Sequence, residues 1–337
     1  MQNPSKEHVS MDYRRLGQSG LWVSSLVLGT MTFGDGTDIA TSDAIFHRAL
    51  EAGINLIDTA DLYAKGQTEE ILSRLIAPCR HDILIATKGY FPLDANPNHR
   101  GNSRLHLTQA IEDSLKRLKT DYIDLYYLHH FDENVPLEET LRTLDDAIRA
   151  GKIRYVGFSN FSAWQIEKAL CLQERYGLNR AVAIQPHYNL LKRQAESEIF
   201  PCAQAEHLGV MTYSPLAAGI LTGKYLNGES GRMSHDKKYQ ARFSDIDAHA
   251  YAEKFVALAH EIGVSPASLA IAWTRANKAI TAPIIGARTL SHLESALDAL
   301  AIEIDDALYQ RIAMLTPRPA NALDRYEEQA KSAFDYV

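Results

Sequence analysis

The chain has 337 residues, 46% hydrophobic and 23% charged, a composition that indicates a soluble globular protein and excludes disordered, collagen-like and coiled-coil classes. Its 35 Lys and Arg against 42 Asp and Glu give a net charge of −7, and the basic residues are scattered, so we expect no nucleic-acid partner. The polar N-terminus lacks the apolar core of a signal peptide, and no stretch approaches the roughly 18 apolar residues of a membrane helix. We therefore expect a cytoplasmic protein without a membrane partner.

The three cysteines, Cys79, Cys171 and Cys202, are widely spaced along the chain. An odd number at this spacing fits neither a disulfide framework nor a zinc site. We expect buried, reduced thiols and no metal.

In chain order, the first predicted element is a hairpin, in which residues 13–16 and 21–23 flank the glycine-containing turn 17–20. After it, short β-branched runs alternate with amphipathic stretches. The predicted strands are 26–29, 54–58, 83–88, 123–129, 154–159, 182–185, 210–214 and 283–286. The predicted helices between them include 42–52, 105–119, 137–150, 162–176 and 193–208, with Ser42 and Ser162 as candidate N-caps.

The strand ends recur at intervals of about 30 residues, the length of one βα unit. Eight such units without a break in composition predict one (β/α)8 TIM barrel of the α/β class, with an open doubly wound sheet as the rival. The interval after the seventh strand is longer, and we interpret residues 227–247 as a long functional loop over the barrel mouth. Helical patterns at 248–262 and 266–277 follow this loop.

The predicted organisation is a single barrel domain, 11–315, between a flexible N-terminal tail, 1–10, and a C-terminal tail, 316–337. Whether the C-terminal tail reaches the active site stays open at this stage. With no exposed apolar helix face in the pattern, we take a monomer as the default oligomeric state.

The active site of a TIM barrel lies at the C-terminal ends of its strands, and polar residues end several of these apolar runs. Asp58 ends the second strand, with Tyr63 five residues later, while Lys88 ends the third strand and His129 the fourth. A single charged residue at a strand end is usually only solvated. An Asp, a Tyr, a Lys and a His on three consecutive units together predict a functional site.

The chemistry of these four side chains suits a carbonyl group. A buried Lys88 needs a counter-ion, for which Asp58 is the candidate, and its charge favours the Tyr63 phenolate and eases proton donation. His129 can orient a substrate oxygen, so the set can polarise and protonate a carbonyl or run the reverse step on an alcohol. Neither a metal-ligand set nor an activated Ser or Cys nucleophile accompanies it, and the neighbours His129 and His130 point to opposite faces of a strand.

Carbonyl reduction requires a hydride, which only a cofactor can supply. Ser159, Asn160 and Gln185, at the next strand ends, suit a nicotinamide carboxamide, and the Tyr213 ring can stack on its face. No Gly-x-Gly-x-x-Gly fingerprint is present, since the nearest candidate, 34–39, fails at its last position. A dinucleotide would therefore be bound by strand-end loops.

In these motifs the chain resembles the aldo-keto reductases along nearly its whole length. The motifs that carry the resemblance are Asp58-Thr59-Ala60-Asp61-Leu62-Tyr63, Ala86-Thr87-Lys88, Asp124-Leu125-Tyr126-Tyr127-Leu128-His129, Gly157-Phe158-Ser159-Asn160 and Tyr213-Ser214-Pro215-Leu216. The resemblance implies an NADPH-dependent oxidoreductase that reduces aldehydes or ketones, with Tyr63 as general acid assisted by Asp58, Lys88 and His129. It implies cofactor contacts from Gly29, Thr30, Ser159, Asn160, Gln185, Tyr213, Ser214, Leu216, Gly219, Lys224, Gly286 and Arg288, with the loop 227–247 closing over the pyrophosphate.

Two features depart from the family pattern. Ala64 stands where the family commonly has Gly, which puts the geometry of that loop in question. His292, Ser295 and Ala296 occupy places where the family often has residues that bind adenosine. Arg288 is the candidate for a 2′-phosphate, because a guanidinium binds phosphate bidentately, so we favour NADP over NAD.

Two other functions remain as alternatives. Members of the same family serve as NADP-binding, channel-associated regulatory subunits with slow turnover, and a lyase could use Lys88 in a Schiff base. For the carbonyl substrate we expect an aromatic wall formed by residues that follow strand ends, namely Phe33, Tyr90, Phe91, His130 and Phe161.

Overall fold

The computed structural model describes residues 10–320, in which eight parallel strands close into a barrel. The barrel strands are β3 (Val27–Gly29), β4 (Leu56–Asp58), β5 (Leu84–Gly89), β6 (Ile123–Leu128), β7 (Ile153–Ser159), β8 (Ala183–Gln185), β9 (Gly209–Tyr213) and β10 (Ala282–Gly286). They pair in chain order, and β10 closes the barrel by pairing with both β9 and β3. This confirms the predicted (β/α)8 TIM barrel and excludes the open sheet.

The hairpin that precedes the barrel is also confirmed. Its strands, β1 (Tyr13–Arg15) and β2 (Trp22–Ser24), pair antiparallel. The turn residue Leu16 is fully buried among side chains of the barrel interior. Gly17, at φ +57°, comes so close to Gly209 that an added Cβ would lie 2.6 Å from its backbone nitrogen. The hairpin therefore closes the end of the barrel at which the strands begin.

Helices surround the barrel. They are α1 (Ile39–Glu51), α2 (Gln67–Ile76), α3 (Arg104–Leu118), α4 (Leu137–Arg149), α5 (Ala163–Arg175), α6 (Ile199–Ala205), α7 (Arg232–His235), α8 (Lys237–Arg242), α9 (Ala248–Glu261), α10 (Pro266–Ala276), α11 (Leu290–Leu297) and α12 (Asp306–Ala313). Helix α1 begins earlier than predicted. Its N-cap is Asp38 and not Ser42, and the Asp38 side chain accepts a hydrogen bond from the Thr41 N–H. The segment predicted as a helix over 193–208 is divided into a 3-10 turn, Gln194–Glu196, and α6.

Residues 227–247, which we call the lid, were expected to be an irregular loop, but α7 and α8 lie within them. Helices of four and six residues are too short to leave a readable hydrophobic period in the sequence. The lid is fastened at its end by an ion pair between Lys192 and Asp245 and by the buried ring of Phe243. That ring lies 6.2 Å from the ring of His187, which in turn lies 5.1 Å from Tyr213 at the end of β9. The lid thus packs at the barrel mouth, as predicted.

Alternation along the strands explains which polar residues face the barrel axis. Leu56, Ala86, Leu125, Tyr127, Ala183 and Met211 fill the barrel interior. Side chains two positions further along a strand point to the same side. The residues brought to the inner face at the strand ends in this way are Asp58, Lys88, His129, Gln185 and Tyr213.

One expectation about the cysteines is wrong. Cys171 is exposed and Cys79 and Cys202 are only partly buried, and all three are free. Cys171 lies on α5 outside the buried stripe of that helix, so its side chain faces outward.

Within residues 10–320 no single helix is long and apolar enough to cross a membrane. Helices α9 and α10 pass this test only as a pair, and the pair is bent by 95°.

The tails lie almost wholly beyond the described chain. Of the predicted N-terminal tail only residue 10 is described, and of the C-terminal tail only 316–320. There, the Thr316 hydroxyl donates to the Leu190 carbonyl, and Ser197 donates to the Ala320 carbonyl. The single-domain boundaries stay a prediction.

Candidate active site

Lys88 and Asp58 form a buried ion pair at the C-terminal end of the barrel. The Lys88 Nζ donates to Asp58 Oδ1 at 2.6 Å and to the Thr59 carbonyl at 2.7 Å, and the lysine has no exposed surface. Burial alone would lower the pKa of Lys88, but the Asp58 carboxylate and Tyr63 raise it above its usual value. Lys88 is therefore an ammonium at neutral pH, as the predicted counter-ion pairing requires.

Tyr63 enters the site from the 3-10 turn Tyr63–Gly66, which directly precedes α2. The Lys88 Nζ lies 5.3 Å from the centre of its ring. Burial raises the pKa of the phenol, and although the charge of Lys88 lowers it, the net shift is upward. The predicted influence of Lys88 thus has the expected sign but is outweighed by burial. At neutral pH Tyr63 is protonated and can act as a proton donor.

Ala64 and Lys65, which follow Tyr63, adopt left-handed backbone conformations with φ of 45° and 55°. Glycine is the residue that tolerates this region without steric cost. The departure noted in the sequence, Ala64 in place of Gly, therefore falls at a position where a glycine would be relaxed and an alanine is strained.

His129 follows β6, and its ring centre lies 6.3 Å from that of Tyr63. Among the described residues its Nδ1 is buried without a hydrogen-bond partner. Burial and the nearby charges of Lys88, His130 and Lys238 hold the pKa of His129 well below its usual value. The imidazole is therefore neutral, which suits hydrogen bonding to an uncharged carbonyl oxygen.

Ser159, Asn160 and Tyr213 form a connected polar group next to the four side chains. The Tyr213 hydroxyl donates to Asn160 Oδ1 at 2.8 Å, and Asn160 Nδ2 donates to Ser159 Oγ at 3.1 Å and to the His129 carbonyl at 2.9 Å. Gln185 extends the group in a way not foreseen from the sequence, because its Nε2 donates to Asp58 Oδ2 at 2.8 Å. The predicted carboxamide-binding set therefore also fixes the carboxylate that pairs with Lys88.

The loop after β9 has a tightly turned backbone. Ala217, Ala218 and Gly219 all have positive φ, and the N–H groups of Ala217 and Gly219 donate to carbonyls of the same loop. The stem of Lys224 lies so close over Gly219 that an added Cβ would be 2.8 Å from its Cε. Ser214, at φ +66°, and Leu216 belong to the same loop.

Two cations, Lys224 and Arg288, lie near His292 at the start of α11. Burial lowers the pKa of His292, and the charges of Lys224 and Arg288 lower it further. Gly286, at the end of β10, is exposed, and an added Cβ would meet no atom within 4 Å. Two cations and a histidine in one place fit a phosphate group. Together with the amides and the Tyr213 ring on neighbouring strands, this donor set fits a dinucleotide.

Two of the predicted cofactor residues have structural contacts of their own, and their contact with a cofactor stays a prediction. Thr30 is fully buried and its hydroxyl donates to the Asp58 carbonyl at 2.9 Å, so it supports the strand end. Gly29 allows close packing of β3 on β10, since an added Cβ would lie 2.7 Å from Ile284.

The expected aromatic wall is only partly formed. The Phe91 ring lies 5.1 Å from His129, and the Tyr90 ring lies 5.3 Å from His130, so these three residues surround one side of the site. Phe33 and Phe161 belong to the core outside the barrel, where Phe161 stacks on Phe158. Both residues are buried in that core, and their predicted place in the pocket wall stays a prediction.

Sequence reasoning did not find His187. His187 lies two residues beyond Gln185, and the alternation that selects Gln185 would have found it. Within residues 10–320, no cluster of His, Cys, Asp and Glu side chains suits a metal ion.

Comparison with known proteins agrees with this architecture. A model described as the aldo/keto reductase family matches residues 25–316. YrpG of Bacillus subtilis (strain 168), named an uncharacterized oxidoreductase, is 39% identical over 322 residues, which cover 92% of this chain and 97% of that protein.

Two further relatives carry different names. A probable voltage-gated potassium channel subunit beta of Oryza sativa subsp. japonica is 36% identical, over 93% of this chain and 96% of its own. Protein tas of Escherichia coli (strain K12) is 33% identical, over 90% of this chain and 96% of its own. The chain belongs to the aldo/keto reductase family.

Proposed function

We propose that this protein is an NADPH-dependent oxidoreductase that reduces an aldehyde or ketone to the alcohol. The observation that carries the proposal is the position of Lys88, fully buried, bonded to Asp58 and 5.3 Å from the Tyr63 ring centre. A buried ammonium held between a carboxylate and a phenol serves proton transfer better than it serves stability.

The four side chains have separate roles in this proposal. Tyr63 donates its proton to the carbonyl oxygen, and the charge of Lys88 stabilises the phenolate that forms. Asp58 holds Lys88 in place, and neutral His129 orients the substrate oxygen. NADPH, when bound, supplies the hydride to the carbonyl carbon.

The cofactor would be held along the ends of the neighbouring strands. Ser159, Asn160 and Gln185 would bind its carboxamide, and the Tyr213 ring would stack on its nicotinamide. Residues of the loop after β9, namely Ser214, Leu216, Gly219 and Lys224, suit the pyrophosphate. Arg288 suits a 2′-phosphate, which favours NADP over NAD.

The test is NADPH consumption with a panel of aldehydes and ketones, comparing the native protein with Tyr63→Phe. The variant keeps the ring but loses the proton donor, and we expect kcat to fall at least about 100-fold, the usual contribution of a positioned acid. The dissociation constant for NADPH, measured by protein fluorescence, should stay within about twofold. Equal rates in the two proteins would exclude Tyr63 as the acid.

The channel-subunit relatives support a second candidate, a cofactor-binding regulatory protein with slow turnover. The same experiment separates the two functions. Tight NADPH binding with at most one oxidation per protein molecule across the whole panel would favour the regulatory function. Sustained turnover would favour the enzyme.

A Schiff-base lyase finds no support in the geometry. Such chemistry requires a neutral amine, whereas the carboxylate of Asp58 keeps the pKa of Lys88 above its usual value despite burial. Both hydrogen bonds of the ammonium also hold it against Asp58 and Thr59.

A further inference from the structure

Ser214 has a strained backbone conformation at the point where β9 leads into the loop after it. Its φ of +66° lies in the left-handed region, which residues with a Cβ rarely adopt. Its carbonyl accepts the Ala217 N–H at 3.0 Å, which closes the turn 214–217. Such a conformation persists only where surrounding contacts determine it, and it occurs mostly at functional sites. The contacts that hold Ser214 therefore bear on the candidate active site.

Backbone pairing between the end of β9 and the segment after β8 holds the residue before Ser214. The Tyr213 N–H donates to the Pro186 carbonyl at 3.1 Å, and the Tyr188 N–H donates to the Tyr213 carbonyl at 3.3 Å. His187 and Tyr213 form an isolated bridge between the two segments. One residue further along both segments, a side chain takes over from the backbone.

That side chain is Asn189, which has no exposed surface. Its Nδ2 donates to the Ser214 carbonyl at 3.0 Å and also lies 3.4 Å from the His187 Nε2. Its Oδ1 accepts the backbone N–H groups of Leu191 and Lys192, both at 3.0 Å. The turn after Asn189 thus fixes the amide, which presents a donor of defined position to the strained Ser214 peptide.

We propose that Asn189 is a positioning residue for the cofactor, which holds the Ser214 peptide in its left-handed conformation and so fixes the loop after β9. This inference rests on the proposed function, in which Tyr213 stacks on the nicotinamide and this loop binds the pyrophosphate. Because it is fully buried, Asn189 acts only through Ser214. It keeps the binding conformation populated before the cofactor arrives, and a ligand binds more weakly when that conformation is only partly populated.

The test compares Asn189→Asp with the native protein at pH 8. Aspartate keeps the size of the side chain and the acceptor for the Leu191 and Lys192 N–H groups, but an ionised carboxylate cannot donate to the Ser214 carbonyl. We expect the dissociation constant for NADPH, measured by nicotinamide fluorescence, to rise at least about tenfold. In turnover assays the change should appear mainly in the KM for NADPH and much less in kcat.

Asn55→Asp is the matched control. Asn55 also donates to a backbone carbonyl, that of Trp22 at 2.9 Å, and accepts a backbone N–H, that of Ser24 at 2.8 Å, but it lies at the opposite end of the barrel. Both variants should lower the free energy of unfolding in urea, whereas Asn55→Asp should leave the dissociation constant for NADPH within about twofold. A loss of stability in Asn189→Asp without weaker NADPH binding would show a merely structural role and overturn the proposal.

Ser214→Gly tests whether Asn189 acts through the strained peptide. Glycine adopts positive φ without steric cost, so it depends less on an external contact to keep this conformation. Asn189→Ala should raise the dissociation constant for NADPH at least about tenfold in the native background and at most about threefold in the Ser214→Gly background. Equal effects in the two backgrounds would contradict the route through Ser214.

Failure of the proposed function would be visible separately. A native protein that binds NADPH but reduces no carbonyl would contradict the proposed reaction, and the dissociation constants would still decide the role of Asn189. A native protein that binds no NADPH would overturn both proposals. Equal dissociation constants for the native protein and Asn189→Asp would overturn only the role of Asn189.

Discussion

Ala64 bears a local strain that the rest of the turn tolerates. Its φ of 45° places it in the left-handed region, where a Cβ costs roughly 1–2 kcal/mol. Ala64→Gly should remove that strain, and part of the gain is offset because glycine loses more backbone entropy on folding. We expect the free energy of unfolding to rise by about 0.5–1 kcal/mol in urea titrations. The control Ala147→Gly, within α4, should lower the free energy of unfolding. A lower free energy of unfolding for Ala64→Gly would contradict the strain at Ala64.

Asp61 is a buried carboxyl behind Lys88, and its backbone N–H donates to the Lys88 carbonyl. Burial, and to a lesser extent the charge of Glu69, raise the pKa of Asp61 to about 8, while Oδ1 has no hydrogen-bond partner in the described chain. In the unfolded chain the carboxyl releases its proton near its ordinary pKa of 3.8. The stability contributed by its protonated form is therefore complete below about pH 4 and is lost as pH rises to about 8.

Asp61→Asn should abolish this loss, because an amide does not ionise. Relative to the native protein, the stability of the variant should rise between pH 5 and pH 8, by at most about 1.4 kcal/mol per pH unit. Urea unfolding of both proteins across this range provides the measurement. Parallel pH profiles would show that Asp61 does not titrate as described.

At the scale of elements, α2, α3 and β5 are joined by a buried ion pair. The Arg117 Nε donates to Glu69 Oε2 at 2.8 Å, Glu69 has no exposed surface, and Thr87 donates to its other oxygen at 2.6 Å. Arg117→Met would leave the carboxylate buried without a cation, which costs about 3 kcal/mol of stability. The double variant Glu69→Gln with Arg117→Met should recover part of that loss.

The matched control for Arg117→Met is Arg104→Met, which breaks an exposed pair with Asp146 at 3.2 Å. Exposed pairs contribute roughly 0–1 kcal/mol, so this change should be small. Equal losses in the two single variants, measured by urea unfolding, would contradict the role of burial.

Gly157 allows the barrel interior to close around Tyr127. An added Cβ would overlap the Tyr127 ring and lie 2.7 Å from the Ala183 carbonyl oxygen. Gly157→Ala should therefore lower the free energy of unfolding by about 2 kcal/mol or more. Gly20→Ala, at an exposed turn position with 4.0 Å of clearance, should change it little. A tolerated alanine at Gly157 would mean that the interior is loosely packed.

At the scale of the whole molecule, the strands and the four central side chains were predictable, because apolar runs with polar ends mark barrel strands and alternation selects their inner face. Asp58, Lys88 and His129 follow directly from that pattern. The burial of Thr30, Phe33 and Phe161 was not predictable, because it depends on how loops fold back. The lid helices are too short to produce a readable hydrophobic period in the sequence. The hydrogen bond between Gln185 and Asp58 was not predictable either, because it joins residues 127 positions apart.

The central claim is that the proton donor and the nicotinamide meet at one end of this barrel. A crystal structure of the complex with NADP⁺ tests it most directly. We expect the nicotinamide ring on Tyr213, its carboxamide bonded to Ser159 and Asn160, and its reactive carbon facing the Tyr63 hydroxyl. A nicotinamide bound away from Tyr63, or a cofactor at another surface of the barrel, would contradict the account.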